Sequence, residues 1–380
     1  MDREATPVED RRYWLALAGI NGIGAVTAEH LIRLAGSPAT LFHSTVADLM
    51  SAGVRPPLAE ALARPDWSAV DRACDWLEAG SDHDLLCLGD SDYPECLRQI
   101  PDPPLVLFLR GPRQILGQAL FGIVGSRNPT PDGMEIAGAF AARLSDAGLV
   151  VTSGMALGID AAAHEGAMRA GGKTIAIAGC GPDRVYPKSH AHLAERIRGS
   201  GALVSEFFPG TPPLADHFPR RNRLISGMSL GVMVVEAAKR SGSLITARYA
   251  AEQGREVFAI PGSIHNPQAR GCHHLIKQGA KLVETVQDIL EELPAVPHRE
   301  QSATPSAGDA QGALQVDDLS NDSMQLLEMM GTAPVSVDRL VERSGLTADS
   351  VSSILLLLEL RGLVASQPGG TYSRLQRDNT

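Results

Sequence analysis

Glycines, hydroxyl side chains and guanidinium groups recur together along this chain in a pattern suited to holding an anion. The stretch Gly231–Ala247, GVMVVEAAKRSGSLITA, shows it most clearly. Val232–Val235 is an apolar run of the kind that forms a strand buried on both faces. Glu236 ends the run, Ser241-Gly242-Ser243 makes a turn, and Leu244–Gln253 carries helical spacing. A strand-to-helix turn aims backbone N–H groups and the positive end of the helix dipole at one spot. Ser243 and Thr246 add hydroxyl donors. Ser243 also suits a plain N-cap, worth about 1 kcal/mol, but the same pattern recurs upstream.

In GIVGSRNPTPDG, Gly122–Gly133, Gly125 lets the backbone approach a ligand, Ser126 donates, and Arg127 offers a fork that matches phosphate oxygens. Thr130 and Pro131 then start a helix as cap and first residue. In TSGMALGIDAAAH, Thr152–His164, Ser153, Gly154 and Gly158 precede another helix. On that helix Asp160 and His164 are spaced to hydrogen-bond as a structural pair. Two cationic segments lie between the turns. One is Asp183–Lys188, containing Tyr186. The other is Phe218-Pro219-Arg220-Arg221-Asn222-Arg223, where Phe218 can stack on a base while the arginines hold phosphates. The expectation is that all three turns and both segments serve one anion site.

Catalytic patterns are weaker. Gly172-Lys173-Thr174 has Ala167 where a P-loop needs glycine, and it precedes a strand instead of following one. Gly179-Cys180-Gly181 has Arg184 in place of the third glycine of a dinucleotide fingerprint. No Ser-His-Asp arrangement or close carboxylate pair stands out, although Glu206 and Glu236 fall at strand ends. The five cysteines, Cys74, Cys87, Cys96, Cys180 and Cys272, show neither zinc nor disulfide spacing and read as free thiols. His273 and His274 follow Cys272, but adjacent helical side chains diverge, so no metal and no cofactor is expected.

The elements that must position these residues follow from periodicity. Strands are predicted at 85–88, 105–109, 120–124, 149–152, 174–178, 203–205, 232–235, 257–260 and 281–283, with helical stretches between most of them. Such alternation predicts an α/β fold, a doubly wound and mostly parallel sheet whose ligands gather at the carboxyl ends of the strands. Residues 11–36 read as helix, glycine turn Gly19–Gly24, helix, with Ala47–Ala63 a degenerate second copy; packing is favoured over DNA contact for this hairpin. Residues 294–318 have the Pro, Ser and Gly content of a linker. Beyond them, helices at 322–330, 336–344 and 347–360 and a hairpin at 363–375 predict a winged helix, read as a protein-contact module because it is acidic. The implied plan is a helical domain 1–84, a core 85–293, a linker 294–318 and a winged helix 319–380.

The net charge of −10 looks unfavourable for binding a polyanion. It is unevenly spread. Residues 118–290 carry 18 Lys and Arg against 14 Asp and Glu, a balance of +4, while each flank stands at −7. The basic excess therefore coincides with the anion-type turns, which favours local, salt-sensitive binding of a phosphate chain. No apolar run approaches a membrane span and the first residues are polar, so a cytoplasmic protein is expected.

Taken together, GIVGSRNPT, TSGMALGIDAAAH, AGCGPDRVYP, SEFFPGTPP, HFPRRNRLISG, EAAKRSGSLITARYAAEQGREVFAIPG and GCHHLIKQGAKLV resemble the bacterial DNA-processing protein A (DprA, or Smf) family. The resemblance implies a Rossmann-like core that binds single-stranded DNA, flanked by a helix-hairpin-helix (SAM-like) module and a winged helix. It also implies homodimers, with GCHHLIKQGAKLV at the self-association surface. The implied role is to protect incoming DNA and load RecA recombinase onto it during natural transformation. By position it makes Ser126, Arg127, Lys188, Arg221, Asn222, Arg223, Ser241, Gly242, Ser243 and Thr246 the pocket. Where members have YPxxN, this chain has His190 after Tyr186-Pro187, so the role of that Asn is not carried over. The competing enzyme reading, a Rossmann-like nucleotide phosphoribohydrolase, would need a PGGxGT signature that is missing. A purely structural adaptor would bind no nucleic acid.

Overall fold

Short β-branched runs separated by helical stretches fold into a single nine-stranded sheet. The strands are β1 (His83–Cys87), β2 (Val106–Arg110), β3 (Leu120–Gly125), β4 (Val150–Ser153) and β5 (Thr174–Ile177). They continue with β6 (Ala202–Ser205), β7 (Gly231–Val235), β8 (Glu256–Ala259) and β9 (Lys281–Leu282). All nine predicted strands are present, with ends shifted by one or two residues. The spatial order is β1-β2-β6-β5-β4-β3-β7-β8-β9. From β6 to β9 every neighbouring pair is parallel, and β1 and β2 add an antiparallel edge. The computed structural model describes residues 8–294 and, beyond them, parts of 326–374.

Alternation along the central strands sets the layers. Leu120 and Val124 of β3 and Val232 and Val234 of β7 face one core, whereas Phe121, Ile123, Met233 and Val235 face the other. Strand side chains point alternately to opposite faces, so both sides of the sheet need a helical cover. Before the sheet come α1 (Val8–Gly19), α2 (Ala25–Ala35), α3 (Pro38–His43), α4 (Val46–Ser51), α5 (Pro56–Ala63) and α6 (Trp67–Glu78). A single turn, α7 (Glu95–Arg98), lies between β1 and β2. The crossovers are α8 (Pro131–Asp146), α9 (Ile159–Arg169), α10 (Ala191–Ser200), α11 (His217–Met228) and α12 (Ser243–Glu252), followed by α13 (Arg270–Lys277) and α14 (Val286–Leu290). Ala137, Ala141 and Leu144 of α8 and Ala163 and Ala167 of α9 cover one face. Leu224 and Ile225 of α11, Ala247 of α12 and Cys272 of α13 cover the other.

The amino-terminal helices share that second core: Trp14, Leu15 and Leu31 belong to the same cluster as Leu85 and Phe108. The hairpin α1–α2 and its second copy α4–α5 both form. Ile20 and Ile23 of the first turn are buried, and the turn abuts Asp102, Pro103 and Glu206 around a void of about 60 Å³. Arg220 and Arg223 line the same void and are paired there with Glu206 and Asp102.

The chain divides into two compact units, Met1–Gln301 and Ser302–Thr380. In the second, β10 (Val335–Ser336), β11 (Val364–Gln367) and β12 (Thr371–Arg374) form an antiparallel sheet in the order β10-β12-β11, beside a helix at Val337–Ser344. Leu326, Leu340, Leu355 and Val364 share its core. The helices expected at 322–330 and 347–360 are described only in part, and the linker expected after Pro294 lies outside the described residues.

One expected pair does not form. His164 Nδ1 lies 2.6 Å from Thr174 Oγ1, whose own proton goes to the Val151 carbonyl, so the imidazole donates from Nδ1. Asp160 turns instead to backbone N–H groups. Fully buried, with Nε2 lacking a partner, His164 is held neutral by desolvation, its pKa pushed down to about 3. The unfolded chain, with a histidine near pH 6.5, takes up the proton first. Stability is therefore intact above about pH 6.5 and falls as the pH drops toward about 3, by about 1.4 kcal/mol per unit from this one residue. Urea titrations of the native chain and of His164→Gln at pH 7, 6 and 5 should give a shallower decline for the variant. Parallel declines would mean that His164 titrates alike in both states.

Candidate nucleic-acid interface

Strands β3 and β7 are neighbours whose following helices depart to opposite sides, which makes their carboxyl ends the topological switch point of the sheet. Three helices, α8, α9 and α12, start there. Each brings a positive N-terminal end to the same rim, and their turns are built differently.

In the first turn a methyl group at Gly125 would collide with the Val235 carbonyl and the Ile159 side chain, so only glycine fits between β7 and α9. Ser126 is buried, and its Oγ accepts the Asn128 N–H at 3.1 Å. The start of α8 already has an anion. The Glu236 carboxylate accepts the Thr130 N–H at 2.8 Å and the Thr130 hydroxyl at 2.7 Å, while Thr130 Oγ1 caps Gly133. Glu236 reaches it from the end of β7 through a left-handed backbone, φ 52°, costly for a residue with a Cβ. The second turn is filled the same way: Asp160 accepts the N–H groups of Gly154 at 3.1 Å and Ala156 at 3.2 Å.

The third turn has no carboxylate: the Ser243 N–H donates to Ser241 Oγ at 3.3 Å, and the Leu244 and Ile245 N–H groups donate to the Ser241 and Gly242 carbonyls at 3.2 and 3.1 Å. The first turn of α12 holds no acidic residue, and its N-cap is Gly242, which supplies no side-chain cap. Ser241 and Ser243 share a hydrogen bond of 2.7 Å between hydroxyls, and Asn222 Nδ2 donates to the Gly242 carbonyl at 3.3 Å, tying the turn to α11. The expectation of three alike anion-binding turns is thus corrected: two already hold a carboxylate of the chain, Glu236 and Asp160, and the third holds none.

A cleft of about 740 Å³ lies over this turn. Gly125, Ser126 and Arg127 line one wall. Phe218, Arg221 and Asn222 of α11 line the next, and Ser241, Gly242, Ser243 and Thr246 close the third. Arg127 is exposed, its guanidinium carbon 5.6 Å from the centre of the Phe218 ring, a cation–π spacing. Arg221 forms the floor. It is 4% exposed, donates to the Ile177 carbonyl, and leaves Nε without a partner. Its guanidinium fills the space where any side chain at 154 would go, which explains Gly154. Burial pulls the Arg221 pKa down to about 10 against the opposing pull of Asp160, so it stays charged at neutral pH. The same burial pushes Asp160 up from the ordinary carboxylate value.

Two expected residues fall elsewhere. Arg223 points away from the cleft. Its side chain pairs with Glu206, donates to the Asp102 carbonyl at 2.6 Å, and lies 3.5 Å from the Asp102 carboxylate. The reason is helical geometry: positions two apart lie on different faces, so α11 cannot present both Arg221 and Arg223 to one site. Arg220 also binds Glu206. Lys188 is exposed on the short turn Lys188–His190, outside the cleft lining, and His190 Nδ1 lies 3.0 Å from the Met155 carbonyl. Conversely, Tyr186 of the Asp183–Lys188 segment lines the cleft where Lys188 does not, and Gln268, outside every segment singled out in the sequence, lines it too. Lys239 and Arg240 lie exposed just before Ser241. Their place inside the string EAAKRSGSLITA was the available signal. Among the described residues no His, Cys, Asp and Glu cluster could hold a metal ion.

A doubly wound α/β core with a cleft at its switch point defines a Rossmann-like protein. The family model of the DNA recombination-mediator protein A matches residues 84–294, and that of the DprA winged helix domain matches 310–370. This chain belongs to the DprA/Smf family. Protein Smf of Escherichia coli is 40% identical over 370 residues, 97% of this chain and 96% of that one. DNA processing protein DprA of Streptococcus pneumoniae is 47% identical over 203 residues, 53% of this chain and 72% of that one. The X-ray structure of Streptococcus pneumoniae DprA superposes with a TM-score of 0.66 at 36% identity, covering 76% of this chain and 99% of that one. The Helicobacter pylori DprA structure, described for its single-stranded DNA binding mode, gives 0.50 at 28% identity over 55% of this chain and 94% of that one.

The two arginines should separate by measurement. Arg223→Ala strands the buried Glu206 with Arg220 alone and should lower stability by about 3 kcal/mol. The exposed Arg127→Ala should change it by about 0.5 kcal/mol or less. Chemical denaturation midpoints of both variants check this, and equal losses would contradict the assignment.

Proposed function

We propose that this protein binds single-stranded DNA without catalysis and delivers it to RecA recombinase. The observation that carries the reading is the carboxylate-free turn of α12 lining one cleft with a buried Arg221 and with an exposed Arg127 laid over a half-buried Phe218. A sugar–phosphate chain suits each part. The hydroxyls of Ser241, Ser243 and Thr246 hydrogen-bond phosphate oxygens, and the two guanidinium groups neutralise them. Phe218 offers a face to a base, a contact that any base can make. Binding is then weak in sequence preference and strong in salt dependence.

Membership of the DprA/Smf family supports this reading, as does the Helicobacter pylori relative described as binding single-stranded DNA. The carboxylates a hydrolase would need are otherwise engaged: Glu206 by Arg220 and Arg223, Glu236 by Thr130, and Asp160 by two backbone N–H groups. The protein acts as a homodimer in this account. Two exposed apolar side chains support self-association: Ile264, 74% exposed in the connection between β8 and α13, and Leu282, 41% exposed on the last strand of the sheet. Delivery is read as faster RecA assembly on single strands when the protein is present.

Fluorescence anisotropy with labelled single- and double-stranded oligonucleotides across a salt series tests the binding. Single strands should bind more tightly, irrespective of sequence. Arg127→Ala should weaken binding about tenfold on every sequence and reduce the logarithmic salt slope by about 0.7. An unchanged affinity and slope would reject the cleft as the DNA site.

A further inference from the structure

Beside the main cleft a recess of about 60 Å³ opens, with Arg127, Ala156, Tyr186, Phe218 and Arg221 shared by both and Leu157 and Pro187 lining the recess alone. Its added walls are apolar. Tyr186 is 45% exposed and Leu157 46%, two large apolar side chains held at the surface side by side. The Tyr186 and Phe218 ring centres are 5.4 Å apart with planes tilted by 40°, so Tyr186 continues the aromatic surface away from α12. Leu157 is placed by the β4–α9 turn, where Met155 takes the left-handed region at φ 57° and the Asp160 carboxylate binds the Gly154 and Ala156 N–H groups. These features fix an apolar shelf at the end of an anion-binding cleft. An exposed aromatic beside a polyanion site is where a nucleobase finds a π-face once its phosphate is held.

We propose that Tyr186 and Leu157 form a second base-stacking subsite, one nucleotide along from the base on Phe218, and so set the direction in which the strand leaves the cleft. The proposal rests on the single-stranded DNA reading above and adds a residue and a path to it. The recess is too small to swallow a base whole. The base lies across its mouth, one face on the Tyr186 ring and one edge against Leu157, while Arg127 reaches the linking phosphate.

The test compares two probes on the full chain: a fluorescent oligothymidylate, and an oligomer of equal length made wholly of abasic deoxyribose phosphate. Tyr186→Ala should weaken oligothymidylate binding about 5- to 10-fold, the lower part of the range for a stacked base. It should leave the abasic oligomer within about twofold of the native affinity, because phosphate contacts set that affinity. Tyr186→Phe, which keeps the ring, should restore oligothymidylate binding. Photo-crosslinking with iodouracil-containing strands should label a peptide carrying Tyr186. An equal loss on both probes, or no loss on either, overturns the subsite while the DNA reading stands. A native protein that binds neither probe overturns both.

Discussion

Helix N-termini attract anions, and a protein that gathers several of them at one sheet edge must decide which to satisfy itself. Here the constraint is settled by carboxylates of the chain. Glu236 fills the start of α8 and Asp160 fills the turn before α9, whereas the turn before α12 has no carboxylate of its own. The arrangement has a cost, since Glu236 sits in a left-handed backbone conformation to reach its partners. The same bonds hold the loops after β3 and β4 rigidly around the cleft.

The floor of the cleft follows from the same logic. A guanidinium group buried beneath it needs a counter-charge, and the buried Asp160 carboxylate supplies one while remaining tied to backbone N–H groups. Arg221 then retains its charge under conditions where a phosphate above it would be fully ionised. Arg127, exposed and laid over Phe218, supplies the adjustable partner. One fixed cation and one movable cation suit a ligand whose phosphates repeat while its bases vary.

Much of this was legible in the sequence. Apolar runs with period two or three to four gave every strand of the nine-stranded sheet and the doubly wound plan, because central parallel strands must be continuous in apolar residues, whereas the two-residue β10 is too short to leave such a run. The glycine-serine turns marked the sheet edge that carries the site, and ten of the twelve expected site residues line one cleft. Arg223 was misplaced because a basic cluster was read as one patch, although helical spacing sends positions 221 and 223 to different faces. The internal neutralisation of two turns was hidden for another reason. Glu236 caps a helix more than a hundred residues upstream, a pairing that only the adjacency of β3 and β7 reveals. Tyr186 lay in a motif whose other residues drew the attention, and its exposure is a property of the loop's path over the sheet.

The α12 turn has no anion of its own, and Gly242→Asp supplies one. Position 242 is the N-cap, and a side chain there meets nothing within 4 Å. An aspartate should leave the fold as stable as before or slightly more so while lowering affinity for single-stranded DNA about tenfold or more at low salt, and the uncharged Gly242→Asn should retain binding. Undiminished binding by Gly242→Asp, with the fold intact, would contradict the account.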